Sequence, residues 1–175
     1  MKATLGTRLS QRDSRRLVGR DSQLAVFDEL LLDDPPANVV LVHGPGGIGK
    51  STLLREVARR AERSGWPTTL VEGRELAPVP DALERAVEEI REQERPLLIL
   101  DSYERMSAMG GYLRRDLLPS LPELTLVVIA GRGPPERAWF EGGWENLTLE
   151  RGWPVDLYVD RMKEVTKRTF VRAEP

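Results

Sequence analysis

Three short stretches of the chain are almost unbroken in apolar residues: Val39-Val40-Leu41-Val42, Leu97-Leu98-Ile99-Leu100 and Leu124-Thr125-Leu126-Val127-Val128-Ile129-Ala130. Such runs are expected of strands buried on both faces, as in a parallel sheet covered by helices on either side. Between them apolar residues recur at helical spacing, marking helices with one buried stripe. Leu24, Phe27, Leu30 and Leu31 make the first stripe, with Asp21 or Ser22 available as cap and Asp33-Asp34-Pro35-Pro36 as terminator. Leu53, Leu54, Val57, Ala58 and Ala61 make the second, closed by Gly65. Asp81 with Glu84 gives a capping-box-like start to a third, whose inner face is Leu83, Ala86, Val87 and Ile90. Weaker signals place strands at Thr68 to Val71 and Asn146 to Leu149. A mixed helical segment runs from Glu104 to Ser120, interrupted by Gly110-Gly111. Strands alternating with helices at this rhythm predict a βαβ sheet.

The ends of the chain read differently. Residues 1–16 carry Lys2, Arg8, Arg12, Arg15 and Arg16 against Asp13 alone, which predicts a flexible basic arm. That arm is either a solvated tail or a contact for nucleic acid or an acidic partner. Residues 17–150 hold the core. Residues 151–175 form a charged C-terminal extension in which Tyr158, Met162 and Val165 fall at helical spacing, so one short helix is expected there.

Composition narrows the class. The 175 residues suffice for one domain with a substantial core. A formal charge of −2 argues against nucleic-acid binding by this chain alone. Cysteine is absent and His43 is the single histidine, which excludes disulfides, thiolate metal sites and a cysteine nucleophile. No stretch approaches the roughly 18 apolar residues of a membrane span, so the expectation is a cytoplasmic protein with no membrane contact.

The chemistry lies where the first strand gives way to the second helix, at Gly44-Pro45-Gly46-Gly47-Ile48-Gly49-Lys50-Ser51-Thr52. This is a Walker A phosphate loop in its required setting of strand, glycine turn and helix start. Glycines let backbone N–H groups turn inward as an anion nest, and the helix N-terminus behind them adds partial positive charge. Lys50 supplies a point charge for the β and γ phosphates, and the Ser51 hydroxyl a ligand for Mg²⁺. A glycine turn without a ligand is the plainer alternative, made remote by the context. The strand Leu97 to Leu100 delivers Asp101 at its carboxyl end, where open parallel sheets bind ligands and where a carboxylate can hold Mg²⁺ through water opposite Ser51. The strand ending at Ala130 delivers Arg132 to the same edge, as a sensor of the γ-phosphate or as a solvated loop arginine.

With loop, aspartate strand and arginine strand in that order, the sequence resembles the STAND branch of AAA-like P-loop NTPases. It is most similar to the ATPase module at the front of LuxR-type bacterial transcriptional regulators. The matching residues are Val18-Gly19-Arg20-Asp21, Val42 to Thr52, Leu97 to Glu104, and Val127 to Arg132. The resemblance covers roughly residues 17–145. It implies that Val18 and Gly19 lie near the adenine, that the loop holds the triphosphate of ATP, that Asp101 serves Mg²⁺, and that Arg132 is the first sensor. It also implies the fold, a three-layer α/β sandwich with a mostly parallel five-stranded sheet, the loop strand lying between the arginine strand and the last strand.

The sequence departs from that family twice. Many relatives carry an acidic residue directly after the Walker B aspartate, where this chain has Ser102; Glu104 is then the candidate general base. The chain also stops at Pro175 without segments resembling the family's helical lid and winged-helix domain, and no helix-turn-helix is present. The leading expectation is therefore an ATP/ADP-binding switch with slow Mg²⁺-dependent hydrolysis, using Lys50, Glu104 and Arg132. A small-molecule kinase is a second reading; it needs an arginine-rich lid and an acceptor pocket, for which Arg114-Arg115-Asp116 is the one candidate segment and reads more plainly as a helix face. A third is a non-catalytic, truncated partner of longer STAND regulators. Trp139, Phe140, Trp144 and Trp153 bear on it, since they either pack the sheet edge or form a surface for self-association or a protein partner.

Overall fold

The computed structural model describes residues 19–32, 38–133, 147–149 and 155–160. The basic arm, Val18 and the aromatic group Trp139, Phe140, Trp144 and Trp153 lie outside the described residues.

Strands β1 (Val39–His43), β2 (Thr68–Glu72), β3 (Leu97–Asp101), β4 (Leu126–Gly131), β5 (Leu147–Leu149) and β6 (Val155–Asp160) form one sheet in the order β2-β3-β4-β1-β5-β6. The first five pair in parallel, and β1 lies between β4 and β5, the order expected from the sequence. Helices α1 (Asp21–Leu30) and α2 (Lys50–Arg63) cover one face. The other is covered by α3 (Pro80–Val87), a 3₁₀ turn over Glu88–Glu92 and the helical segment before β4.

Alternation along each buried strand builds the two cores. Val40, Val42, Leu97, Ile99, Leu126, Val128 and Ala130 point toward α1 and α2, meeting Leu24, Phe27, Leu53, Leu54 and Val57. Val39, Leu41, Leu98, Leu100, Val127 and Ile129 point the other way, onto Leu83, Val87, Met106, Leu113 and Leu117. Neither side of these strands meets water, which is why their sequences show no polar alternation. Trp66 closes the first core, its indole N–H donating to the Leu31 carbonyl at 3.2 Å while the Arg95 guanidinium lies 4.6 Å from its ring centre.

Three expectations change. The described part of the C-terminal extension is a strand, not a helix: β6 pairs antiparallel with β5 and with β1, so the sheet has six strands among the described residues. Val155, Leu157 and Val159 alternate with period two and include two β-branched residues, a pattern that outweighs the helical spacing of Tyr158, Met162 and Val165. Residues 151–154 and 161–175 lie outside the described residues. The proposed capping box does not form. Pro80 occupies the first turn of α3, where its missing N–H costs nothing, and Glu84 instead pairs with Arg91 at 2.6 Å and accepts from the Tyr112 hydroxyl. Gly110 and Gly111 do not interrupt the helical segment; they begin a run through Gly110–Tyr112, a π turn at Leu113–Leu117 and Leu118–Ser120. Among the described residues no helix is long and apolar enough to cross a membrane.

Candidate functional site

The parallel strands β1, β4, β3 and β2 all end at the same edge, and a cavity of about 240 Å³ opens there. Its walls include Gly46, Gly47, Gly49, Lys50, Ser51, Thr52, Asp101, Glu104 and Arg132. The sheet therefore gathers residues from the loop, the aspartate strand and the arginine strand into one place. Gly44, Pro45 and Ile48 support the loop from behind rather than lining the cavity: Ile48 packs against the first core, and the Gly44 and Pro45 carbonyls accept from the Lys50 ammonium at 2.7 and 3.1 Å.

The loop has its shape because Gly47 and Gly49 adopt φ of 80° and 98°, a region costly for any residue with a Cβ. Gly49 in that conformation is the N-cap of α2, which leaves the first N–H groups of a 14-residue helix facing the cavity. Burial pushes the Lys50 ammonium below its ordinary pKa, as do the nearby positive charges of Arg132 and Arg74, while the Glu104 and Asp101 carboxylates work against that fall. An anion in the cavity would relieve both burdens.

Asp101 is buried, and its Oδ1 accepts from the Ser102 N–H at 2.7 Å, a bond that does not involve the other carboxylate oxygen. Ser102 takes φ 60° and ψ 43°, the left-handed region that side-chain-bearing residues rarely occupy. Ser102, buried in this turn, borders the cavity, and the 3₁₀ turn Tyr103–Arg105 that follows brings Glu104 to the same wall. Glu104 Oε1 meets Arg132 Nε at 3.0 Å, and its buried Oε2 has no hydrogen-bond partner. Arg132 is more than half exposed and passes over the loop, its Nε 3.9 Å from where a Cβ on Gly46 would sit.

Two further arginines belong to this arrangement. Arg20, which follows Gly19 with its φ of 74°, donates from Nη2 to the Ile48 carbonyl at 2.6 Å and so ties the entry of α1 to the loop. Burial lowers its pKa, but an arginine stays charged. Arg74, just past β2, lines the cavity. The GRD sequence does flag Arg20; only the pairing of β2 with β3 could flag Arg74. Gly19 lies beside this arrangement without lining the cavity, and Val18 is outside the described residues. Among the described residues, no group of three or more His, Asp or Glu side chains is placed to hold a metal by itself.

Comparison with known proteins agrees with this geometry. The family model described as "AAA ATPase domain" matches residues 16–78, the segment holding Gly19, Arg20 and the whole loop. No curated protein matches the sequence. A solved katanin structure superposes with a TM-score of 0.52 at 16% identity, covering 75% of this chain and 50% of that one. DnaA from Aquifex aeolicus, in its AMPPCP-bound form, gives 0.48 at 18% identity over 76% of this chain and 46% of that one. Cdc6p from Pyrobaculum aerophilum gives 0.49 at 17% identity over 67% and 40%. The chain spans half or less of the length of these structures. The chain is thus similar in fold to these ATPase structures, and similar over residues 16–78 to AAA ATPase domains.

Proposed function

We propose that the chain is an ATP-binding module of the STAND type, acting as a nucleotide-dependent switch with slow Mg²⁺-dependent hydrolysis. The observation that carries this reading is the convergence of the glycine loop, Lys50, Asp101, Glu104 and Arg132 on one cavity at the carboxyl edge of the sheet. The donor set suits the ligands. Positive-φ glycines and a helix N-terminus offer N–H groups to phosphate. One hydroxyl, Ser51, and the other carboxylate oxygen of Asp101 suit Mg²⁺, which keeps much of its water shell. When bound, Mg²⁺ would neutralise charge on the β and γ oxygens.

The chain's own residues do the rest. Lys50 exchanges the Gly44 and Pro45 carbonyls for phosphate oxygens, a stronger partner for an ammonium. Arg132, already over Gly46, stabilises charge on the transferred group. Glu104, on the cavity wall, orients the attacking water and takes its proton once its carboxylate swings toward it, since Oε1 is engaged by Arg132 and Oε2 is shielded. The kinase reading gains no support, because Arg114, Arg115 and Asp116 are not among the residues lining the cavity.

Glu104→Gln tests the hydrolytic half of the proposal. The variant is expected to bind ATP as the natural chain does while phosphate release falls about a hundredfold, the usual worth of a general base. Unchanged release would remove Glu104 from the chemistry. Release at background in the natural chain, with ATP still bound, would leave a switch that does not hydrolyse.

A further inference from the structure

Arg74 is the cavity residue that neither the sequence pattern nor the hydrolytic scheme accounts for. It follows β2, and in the order β2-β3-β4-β1 that strand is the one farthest from the loop strand. Its side chain nonetheless lines the same cavity as Gly46, Lys50 and Arg132. The local backbone explains this reach. The Gly73 N–H donates to the Asp101 carbonyl at 2.9 Å, and a Cβ on Gly73 would lie 2.8 Å from the Ser102 carbonyl oxygen. The end of β2 is thus pressed against the end of β3, and the next residue is delivered to the cleft.

The three cations of the cavity are not equally engaged. Lys50 is held by two carbonyls and Arg132 by Glu104 at 3.0 Å, whereas the Arg74 guanidinium has a loose ion pair, its Nε 4.0 Å from the Glu72 carboxylate that accepts from the Arg74 backbone N–H. Arg74 and Lys50 line the same cleft, and the positive charge of Arg74 acts on the Lys50 ammonium. Such an arrangement is unfavourable alone and favourable around an anion. Because the loop N–H groups take the inner phosphates, a cation entering from the far strand meets the outermost one.

We infer that Arg74 is a ligand for the terminal phosphate, and that it lets the cleft distinguish a nucleoside triphosphate from a diphosphate. This rests on the ATP-binding reading above and deepens it.

The test compares Mg·ATP and Mg·ADP affinities of the full chain with those of Arg74→Gln and Arg74→Lys, by calorimetric titration. Loss of one charge-assisted hydrogen bond is expected to weaken ATP binding about tenfold in Arg74→Gln and leave ADP binding within about twofold. Arg74→Lys, which keeps the charge without the fork, should fall between. Arg74 is more than half exposed, so the unfolding midpoints should match. Equal losses for ATP and ADP, or no loss for either, would overturn the inference while leaving the ATP-binding reading in place. If the natural chain bound neither nucleotide, that reading would fail and the inference with it.

Discussion

Lys50→Ala is expected to weaken Mg·ATP binding by at least about a hundredfold, because it removes the one buried ammonium that the glycine loop holds at the cavity. The fold should survive. Among the described residues Lys50 bonds to the Gly44 and Pro45 carbonyls, and their loss costs on the order of 1 to 3 kcal/mol, against the many apolar side chains buried on both faces of the sheet. Titration calorimetry and thermal unfolding on the same sample separate the two effects. An affinity within a few-fold of the natural chain's would mean that the loop does not hold the phosphates.

The second large effect is expected at Gly73, which touches no ligand itself. A Cβ there would stand 2.8 Å from the Ser102 carbonyl oxygen, 3.0 Å from that of Asp101 and 3.1 Å from the Met106 terminal methyl. Two of these are backbone atoms, so the strand ends must separate rather than a side chain swing away. Gly73→Ala should destabilise the chain by about 2 to 3 kcal/mol, the cost of overpacking a fitted contact. It should also displace Asp101 and Ser102, and so weaken the Mg²⁺ dependence of ATP binding. Gly133→Ala is the control, since nothing lies within 4 Å of its added methyl. Denaturant midpoints that fall for Gly73→Ala and hold for Gly133→Ala would agree with the structure. Equal midpoints would show that the contact between β2 and β3 is looser than described.

Much of this arrangement was legible in the sequence, because burial on both faces leaves a plain signal. Val39 to Val42, Leu97 to Leu100 and the run ending at Ala130 read as strands for the same reason that they pack as strands. The loop was equally legible, since glycine, lysine and serine at those spacings serve few other ends. Residues at strand ends were harder. Asp101 and Arg132 stood out because each closes an apolar run, whereas Arg74 follows the weaker strand β2, which is exposed at Leu70. Its place at the cavity follows from the register that sets Glu72 beside Asp101, which is a property of two strands rather than of one. The left-handed turn at Ser102 had no local mark either, because glycine or asparagine would be the usual occupant. The strand β6 was misread because two periods overlap in one charged segment, and pairing with β1 and β5 decides between them.

Function is legible to a different depth. The cavity lining supports the proposed phosphate chemistry, while at the start of the first helix the structure offers one link to the loop, the bond from Arg20 to the Ile48 carbonyl.

The central claim is that this cleft binds a nucleoside triphosphate, and direct titration of the natural chain with ATP in the presence of Mg²⁺ tests it. The account predicts saturable binding at one site per chain, weakened when Mg²⁺ is chelated. Heat signals indistinguishable from dilution across the titration, from a sample shown to be folded, would contradict it.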